Sequence, residues 1–131
     1  MENELKFIVA CEYANVDKAG KVTAGSIFSR VLIPKDSNSL ILNMYIVASF
    51  TWNKKIESIK TELVDPNNQI ISSDVLKKED TPLAVPSEEE NQIVVKMQPE
   101  LLIPGKYSVN ILINNISSFS KQDIFRVIKR I

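Results

Sequence analysis

Residues 40–52 read LILNMYIVASFTW, and all seven even-numbered positions of this stretch are apolar. The positions between them include Asn43, Ser49 and Thr51. Because side chains alternate between the two faces of a β-strand, this spacing predicts one long strand with a fully buried face. The other face carries Tyr45 and Val47 among polar residues, and it can meet either solvent or another surface.

Shorter segments on both sides of this stretch show the same period of two and are separated by turn-forming residues. Asp17 and Gly20 begin and end one predicted turn, and the Asp65-Pro-Asn-Asn sequence predicts another. A Pro-Gly pair precedes Tyr107, whose hydroxyl can bond back to a connecting loop, as it does in β-sandwiches. The other predicted strands are residues 5–16, 21–33, 56–65, 69–76, 93–97 and 107–113.

Three segments are less regular. The apolar pattern of residues 21–33 changes parity at Gly25, which predicts a β-bulge with a bend there. Residues 77–91 are polar, contain two prolines and predict an irregular connection. Residues 120–131 fit a strand or a helix, and we favour a strand because a sandwich commonly ends with one. The sequence as a whole predicts a single all-β domain, an antiparallel β-sandwich (Ig-like or C2-like) of about seven to eight strands.

The composition excludes several kinds of chemistry. The 131 residues contain no histidine, one cysteine and three glycines, so Ser-His-Asp catalysis, a tetrahedral zinc site and a glycine-rich phosphate loop are not expected. We therefore predict no catalytic residues, no cofactor and no metal. The 16 basic and 16 acidic residues balance, so nucleic acid is not expected as a partner. An acidic start without a signal-like or membrane-spanning apolar run predicts a cytoplasmic protein with no membrane contact.

A few side chains are candidates for contact with a protein partner or a second copy. A carboxylate at position 12 lies in a largely apolar strand, residues 45 and 47 lie on the semi-polar face, and three consecutive glutamates form a charge run. Each also has a plainer interpretation as an ordinary surface or packing residue. The candidates are Glu12, Tyr45, Val47, Glu88, Glu89 and Glu90. A small basic end, formed by Arg126, Lys129 and Arg130, could contact an acidic partner or simply stay in water.

The first third of the chain contains a cysteine, an acidic residue, any residue and an alanine, then an Asp-x-x-Gly-Lys turn, then a glycine and an aromatic residue. These positions are Cys11, Glu12, Ala14, Asp17, Gly20, Lys21, Gly25 and Phe28. The pattern resembles that of a family of small bacterial β-sandwich domains of unknown function. This resemblance implies a compact β-sandwich and a bacterial or phage source, and it brings no catalytic residues.

The leading hypothesis is a non-catalytic protein-interaction or structural module, with self-association as one option. It follows from long strands whose edges can pair and from the absence of a catalytic motif. An alternative is an enzyme in which Glu12 works with Asp65 or Asp123 as acid and base. Another alternative is a ligand-binding sandwich with an aromatic side chain in an open cleft. The candidates for that role are Tyr13, Tyr45 and Trp52.

Overall fold

A computed structural model describes residues 3–19, 21–77 and 91–130 of this chain, and it is all-β. Within these residues no helix is long and apolar enough to cross a membrane. The strands are β1 (Glu4–Val16), β2 (Val22–Ile27), β3 (Arg30–Ile33), β4 (Leu40–Ile41), β5 (Met44–Thr51), β6 (Ser58–Val64), β7 (Ile70–Lys77), β8 (Asn91–Met97), β9 (Glu100–Leu101), β10 (Gly105–Ile113) and β11 (Ile116–Lys129).

The strands form three sheets. A four-stranded sheet has the order β2-β1-β5-β8, a five-stranded sheet has the order β3-β11-β10-β6-β7, and β4 pairs with β9. All pairs are antiparallel except β3 with β11, which run parallel. The expected purely antiparallel arrangement is therefore wrong at this one pair. The described residues form eleven strands rather than seven or eight, because two predicted strands are each divided and the short β9 was not predicted.

The centre of the stretch 40–52 has the fully buried face that its alternation predicts, whereas the other three even-numbered residues, Leu40, Leu42 and Trp52, are half-buried against the core cluster. Met44, Ile46, Ala48 and Phe50 are completely buried. The predicted single strand is wrong in its continuity, because it divides into β4 and β5. The backbone N–H of Leu42 donates to the carbonyl oxygen of Pro99 at 3.0 Å. This part of the chain therefore extends the pairing of β4 with β9 instead of joining the four-stranded sheet.

One core cluster contains buried side chains from both larger sheets. The four-stranded sheet contributes alternate residues of β1, β5 and β8, and the five-stranded sheet contributes alternate residues of β6, β10 and β11. In β8 and β10 the period of two in the sequence thus marks the side of the strand that faces this cluster. Its most buried large members are Tyr107, Phe50, Phe125, Ile33, Met44, Ile46, Ile59, Leu63, Leu101, Ile111 and Ile113.

The predicted bulge at Gly25 is wrong. Gly25 pairs with Tyr13 and Ile27 pairs with Cys11 in one unbroken register. The apolar parity changes instead because the chain leaves one sheet and enters the other. Phe28 N–H still donates to a β1 carbonyl at 3.1 Å, whereas the carbonyl of the next residue accepts from Arg126 N–H in β11 at 2.9 Å. β2 and β3 are therefore separate strands, each in its own sheet.

The predicted turn chemistry is confirmed at two places. The Asp65 carboxylate accepts the backbone N–H groups of Asn67 at 2.8 Å and Gln69 at 2.9 Å, and Asn68 has φ of 62°. The Tyr107 hydroxyl donates to the Ile103 carbonyl at 2.8 Å, as its position after the Pro-Gly pair predicts. Burial raises the pKa of this phenol. Both interactions fix connections at the same end of the five-stranded sheet.

The last segment is a strand, β11, and the helical alternative for residues 120–131 is wrong over the described residues. Its pairing with β10 shifts register twice, and one shift lies between the pairs Tyr107–Phe125 and Val109–Lys121. Asp123, inside this bulge, has φ of 56°. The irregular connection predicted for residues 77–91, with Glu88, Glu89 and Glu90, falls in residues 78–90, which lie outside the described residues.

Thr61 provides a test of the core. Its side chain is fully buried in β6, and its hydroxyl has no hydrogen-bond partner among the described residues. A buried hydroxyl without a partner costs about 1–3 kcal/mol, so we expect Thr61→Val to raise the free energy of unfolding by about 1 kcal/mol. Thr51→Val is the matched control, because the Thr51 hydroxyl accepts the Glu4 N–H at 3.1 Å. Urea unfolding should show the opposite sign for this control, and a destabilised Thr61→Val would contradict the assignment.

Candidate interaction surface

The outer face of the four-stranded sheet points away from the core cluster. Three cross-strand rows follow from the register of β1, β5 and β8. The central row is Val9–Val47–Val94. On one side of it lies the row Phe7–Ser49–Gln92, and on the other side lies the row Cys11–Tyr45–Lys96. We call the apolar members of these rows, together with the two neighbouring apolar side chains of β1 and β2, the apolar face. Its residues are Phe7, Val9, Cys11, Tyr13, Ile27, Tyr45, Val47 and Val94.

Large parts of the apolar face are open to water. Phe7 is 42% exposed, Tyr13 is 55% exposed and Ile27 is 61% exposed. Val9, Tyr45 and Val94 are half-buried beside them. The charged member of the three rows is Lys96, which pairs with Tyr45 at the edge strand. Contiguous exposed apolar side chains of this kind are typical of interaction sites rather than of an ordinary solvated sheet.

The outer face of the five-stranded sheet is more mixed and carries more charged and amide side chains. Glu62 lies between Ser73 and Asn110 in register, and its carboxylate is 3.4 Å from the Lys60 ammonium. Lys106, also on this face, is exposed. Leu32 and Val75 are exposed on this face as well, but they lie among charged and amide side chains, whereas Phe7, Tyr13 and Ile27 on the other sheet are larger or more exposed and adjoin further apolar residues.

The structure places only some of the predicted contact residues together. Tyr45 and Val47 both lie on the apolar face, where Val47 is buried and Tyr45 is half-buried. Glu12 is exposed, but it belongs to the even-numbered side of β1 and points away from Tyr45 and Val47. Glu88, Glu89 and Glu90 lie outside the described residues. The glutamate at position 12 is therefore not part of the apolar face.

Cys11 is completely buried, as its apolar surroundings in the sequence predict. It lies on the outer side of the sheet, in register with Ile27 on one strand and Tyr45 on the other. Its Sγ is 3.8 Å from the Tyr45 carbonyl oxygen. Burial raises the pKa of this thiol, so the reactive thiolate is scarce at neutral pH. Cys11 therefore acts as a small apolar packing residue within the apolar face.

The carboxylates proposed for an enzyme do not all meet. Asp65 and Asp123 line the same cleft, of about 450 Å³, on the five-stranded sheet. Glu12 lies in β1 of the other sheet. One Asp65 oxygen is already held by two backbone N–H groups, and an Asp123 oxygen is 3.4 Å from the Arg126 guanidinium. The cleft thus contains two carboxylates, and that of Asp65 already accepts hydrogen bonds from the backbone of its own turn.

The aromatic side chains proposed for a ligand cleft are also divided. Tyr13 and Tyr45 belong to the apolar face. Trp52 lies half-buried against the core cluster, with its ring edge-on to Phe119 at a centroid distance of 5.8 Å. Two of the three aromatic residues therefore belong to one sheet surface, and the third fills the end of the core.

Sequence reasoning missed Ile27 and Val94 as surface residues. The alternation of Phe7, Val9 and Tyr13 was a usable signal, but it predicts only a strand covered on both faces and does not say which face is open.

Among the described residues, no three Cys, Asp or Glu side chains are grouped so that they could hold a metal ion. Comparison with models of protein families and with curated proteins finds no match to this sequence.

Proposed function

We propose that this chain is a non-catalytic protein-interaction or structural module that binds through the apolar face. The observation that carries the proposal is the contrast between the two outer sheet faces. Phe7, Tyr13 and Ile27 are each about half exposed on one sheet, whereas the exposed Leu32 and Val75 of the other sheet lie among charged and amide side chains. A second copy of the chain or another protein with a flat apolar surface fits this face.

The proposal includes a β-sandwich of Ig-like or C2-like type as the scaffold. The single core cluster drawn from both larger sheets supports it. The bond from Tyr107 to the Ile103 carbonyl supports it as well, because β-sandwiches use a tyrosine in this way to fix a connecting loop. A bacterial or phage source and a cytoplasmic location belong to the same proposal, and they rest on the sequence alone.

The expected strength of binding follows from the exposed area. Fully burying one large apolar side chain contributes about 1.5–3 kcal/mol, so covering the open halves of Phe7, Tyr13 and Ile27 contributes roughly 3 kcal/mol in total. Association itself costs at least about 4 kcal/mol in lost motion. The half-buried valines and Tyr45 must therefore also be covered, and we expect an interaction of moderate affinity.

The test is a lysine placed in the apolar face. We expect Ile27→Lys to weaken association at least tenfold, because it puts a charge into an apolar contact. Ile116→Lys is the matched control, since Ile116 is 66% exposed and lies at the tight turn between β10 and β11. Sedimentation velocity over a range of concentrations measures self-association. Affinity capture with each variant as bait measures binding to other proteins.

Two results would refute the proposal. One is a wild-type chain that stays monomeric and captures no protein that the Ile27→Lys variant fails to capture. The other is an equal loss of binding in Ile27→Lys and Ile116→Lys. Thermal unfolding of both variants, followed by Trp52 fluorescence, shows whether each retains the fold.

A further inference from the structure

Three cations form one row across the outer face of the five-stranded sheet. Arg126 in β11 pairs with Arg30 in β3 on one side and with Lys106 in β10 on the other. The flanking pairs Val127–Val31 and Tyr107–Phe125 are buried in the core, so the three cations point outward together. Neighbouring strands are about 4.8 Å apart, so the row spans about 10 Å.

The positive charge of this row is only partly balanced, because Asp65 and Asp123 are the two carboxylates that line the clefts beside it in the described part of the chain. Like charges directly opposite each other in a sheet are destabilising. Among the described residues, only Arg126 of the three has an ion pair, with Asp123 at 3.4 Å, and both side chains of that pair are largely exposed. The other basic residues near the C-terminal end do not join the row. Lys129 instead donates to the Ser37 carbonyl at 2.9 Å.

The row is bordered by two clefts that share Asp123. One, of about 450 Å³, contains Lys106 with the amide and hydroxyl groups of Asn68, Ser108 and Gln122, and also Asp65. The other, of about 380 Å³, contains Arg30 and Arg126 with Ser29 and Ile128. Both volumes fall in the range that small-molecule sites occupy. Asp123 lies in the bulge of β11, and its side chain lines both clefts.

We propose that Arg30, Arg126 and Lys106 bind a phosphate group, either free phosphate or the phosphoryl group of a small sugar phosphate. Two guanidinium groups on adjacent strands present paired N–H donors that match phosphate oxygens, and the ammonium adds a third positive charge. The polar cleft beside Lys106 offers hydroxyl and amide partners to an attached sugar. A nucleobase would lack a stacking surface, since no aromatic side chain of the described residues lines either cleft.

The test is a titration of the ¹⁵N-labelled full chain with inorganic phosphate at constant ionic strength, with chloride as the reference salt. We expect saturable shifts of the Arg30, Lys106 and Arg126 amides. Arg30→Gln and Arg126→Gln should each weaken binding at least tenfold, because each removes a charge-assisted contact. Lys18→Gln, which removes an exposed cation from the β1–β2 turn, should leave binding unchanged. Asp123→Asn should strengthen binding, because it removes a competing carboxylate and retains a residue that tolerates positive φ.

Glucose 6-phosphate, with glucose as its control, distinguishes the two sources of the group. If glucose 6-phosphate binds more tightly than inorganic phosphate, the polar cleft holds the sugar. If the two bind equally, the site is one for free phosphate. Shifts that do not saturate, or that spread over the surface lysines, would overturn the proposal. So would an Arg126→Gln variant that keeps its fold and binds phosphate as the wild type does.

Discussion

Phe50→Ala is expected to lower the free energy of unfolding by about 3–5 kcal/mol, the usual cost of removing a buried phenyl ring. Phe50 is completely buried in β5, which pairs on both sides with β1 and β8. Its ring is 5.5 Å from that of Phe119 in the other large sheet, so the substitution opens a cavity between the two sheets. A domain of this size has only about 5–15 kcal/mol of stability to lose.

Phe7→Ala is the matched control for this substitution. Phe7 lies on the apolar face and is 42% exposed, so its truncation leaves no closed cavity and should cost less than about 1 kcal/mol in the isolated chain. Urea denaturation of both variants measures the difference. Equal destabilisation by the two substitutions would mean that residues 40–52 do not supply the centre of the core.

Gly105→Ala is expected to lower the free energy of unfolding by about 2–4 kcal/mol. Gly105 has φ of +134°, which costs other residues about 1–3 kcal/mol. A Cβ at this position would also lie 2.9 Å from Pro66 Cγ and 3.1 Å from Pro66 Cβ. The proline ring is rigid, and its turn is held by the Asp65 carboxylate, so the backbone of one of the two connections must shift.

Gly25→Ala separates this effect from the general cost of replacing glycine. Gly25 does not have a positive φ, and a Cβ there would make an ordinary contact of 3.5 Å with the Tyr13 ring. We expect a change within about 1 kcal/mol of zero, since the less flexible unfolded chain offsets any small misfit. Thermal unfolding of both variants measures the contrast. A Gly25→Ala variant as unstable as Gly105→Ala would refute the assigned role of Pro66.

Alternation in the sequence is sufficient to predict most strands and their buried sides. It works for β5, β8 and β10 because each has one face in the core and residues such as Ile46, Val95 and Val109 repeat at a spacing of two. Alternation fails at Gly25 because a bulge within one strand and a crossing from one sheet to the other both shift the apolar residues from even to odd positions. The breaks at Leu42 and at Ser29 are set by partners far away in the chain, Pro99 and Arg126. A local pattern contains no information on those partners.

The candidate surfaces were less accessible to sequence reasoning. Tyr45 and Val47 were identifiable because they interrupt a polar face, but their neighbours depend on which strands pair with β5. The basic row is a stronger example, because Arg30, Lys106 and Arg126 are far apart in the sequence and meet only through the order of the five-stranded sheet. Charge counts for the whole chain balance and conceal it.

The position of β11 between β3 and β10 affects the order in which the protein can form during translation. Arg30 to Ile33 leave the ribosome long before Arg126 to Lys129, their parallel neighbours in the sheet. Until then Val31 and Ile33, which are buried in the finished protein, have no strand beside them in the described chain. Such distant pairing slows folding and leaves apolar segments available to other chains. A newly made chain therefore depends on β11 to cover β3, which was synthesised long before it.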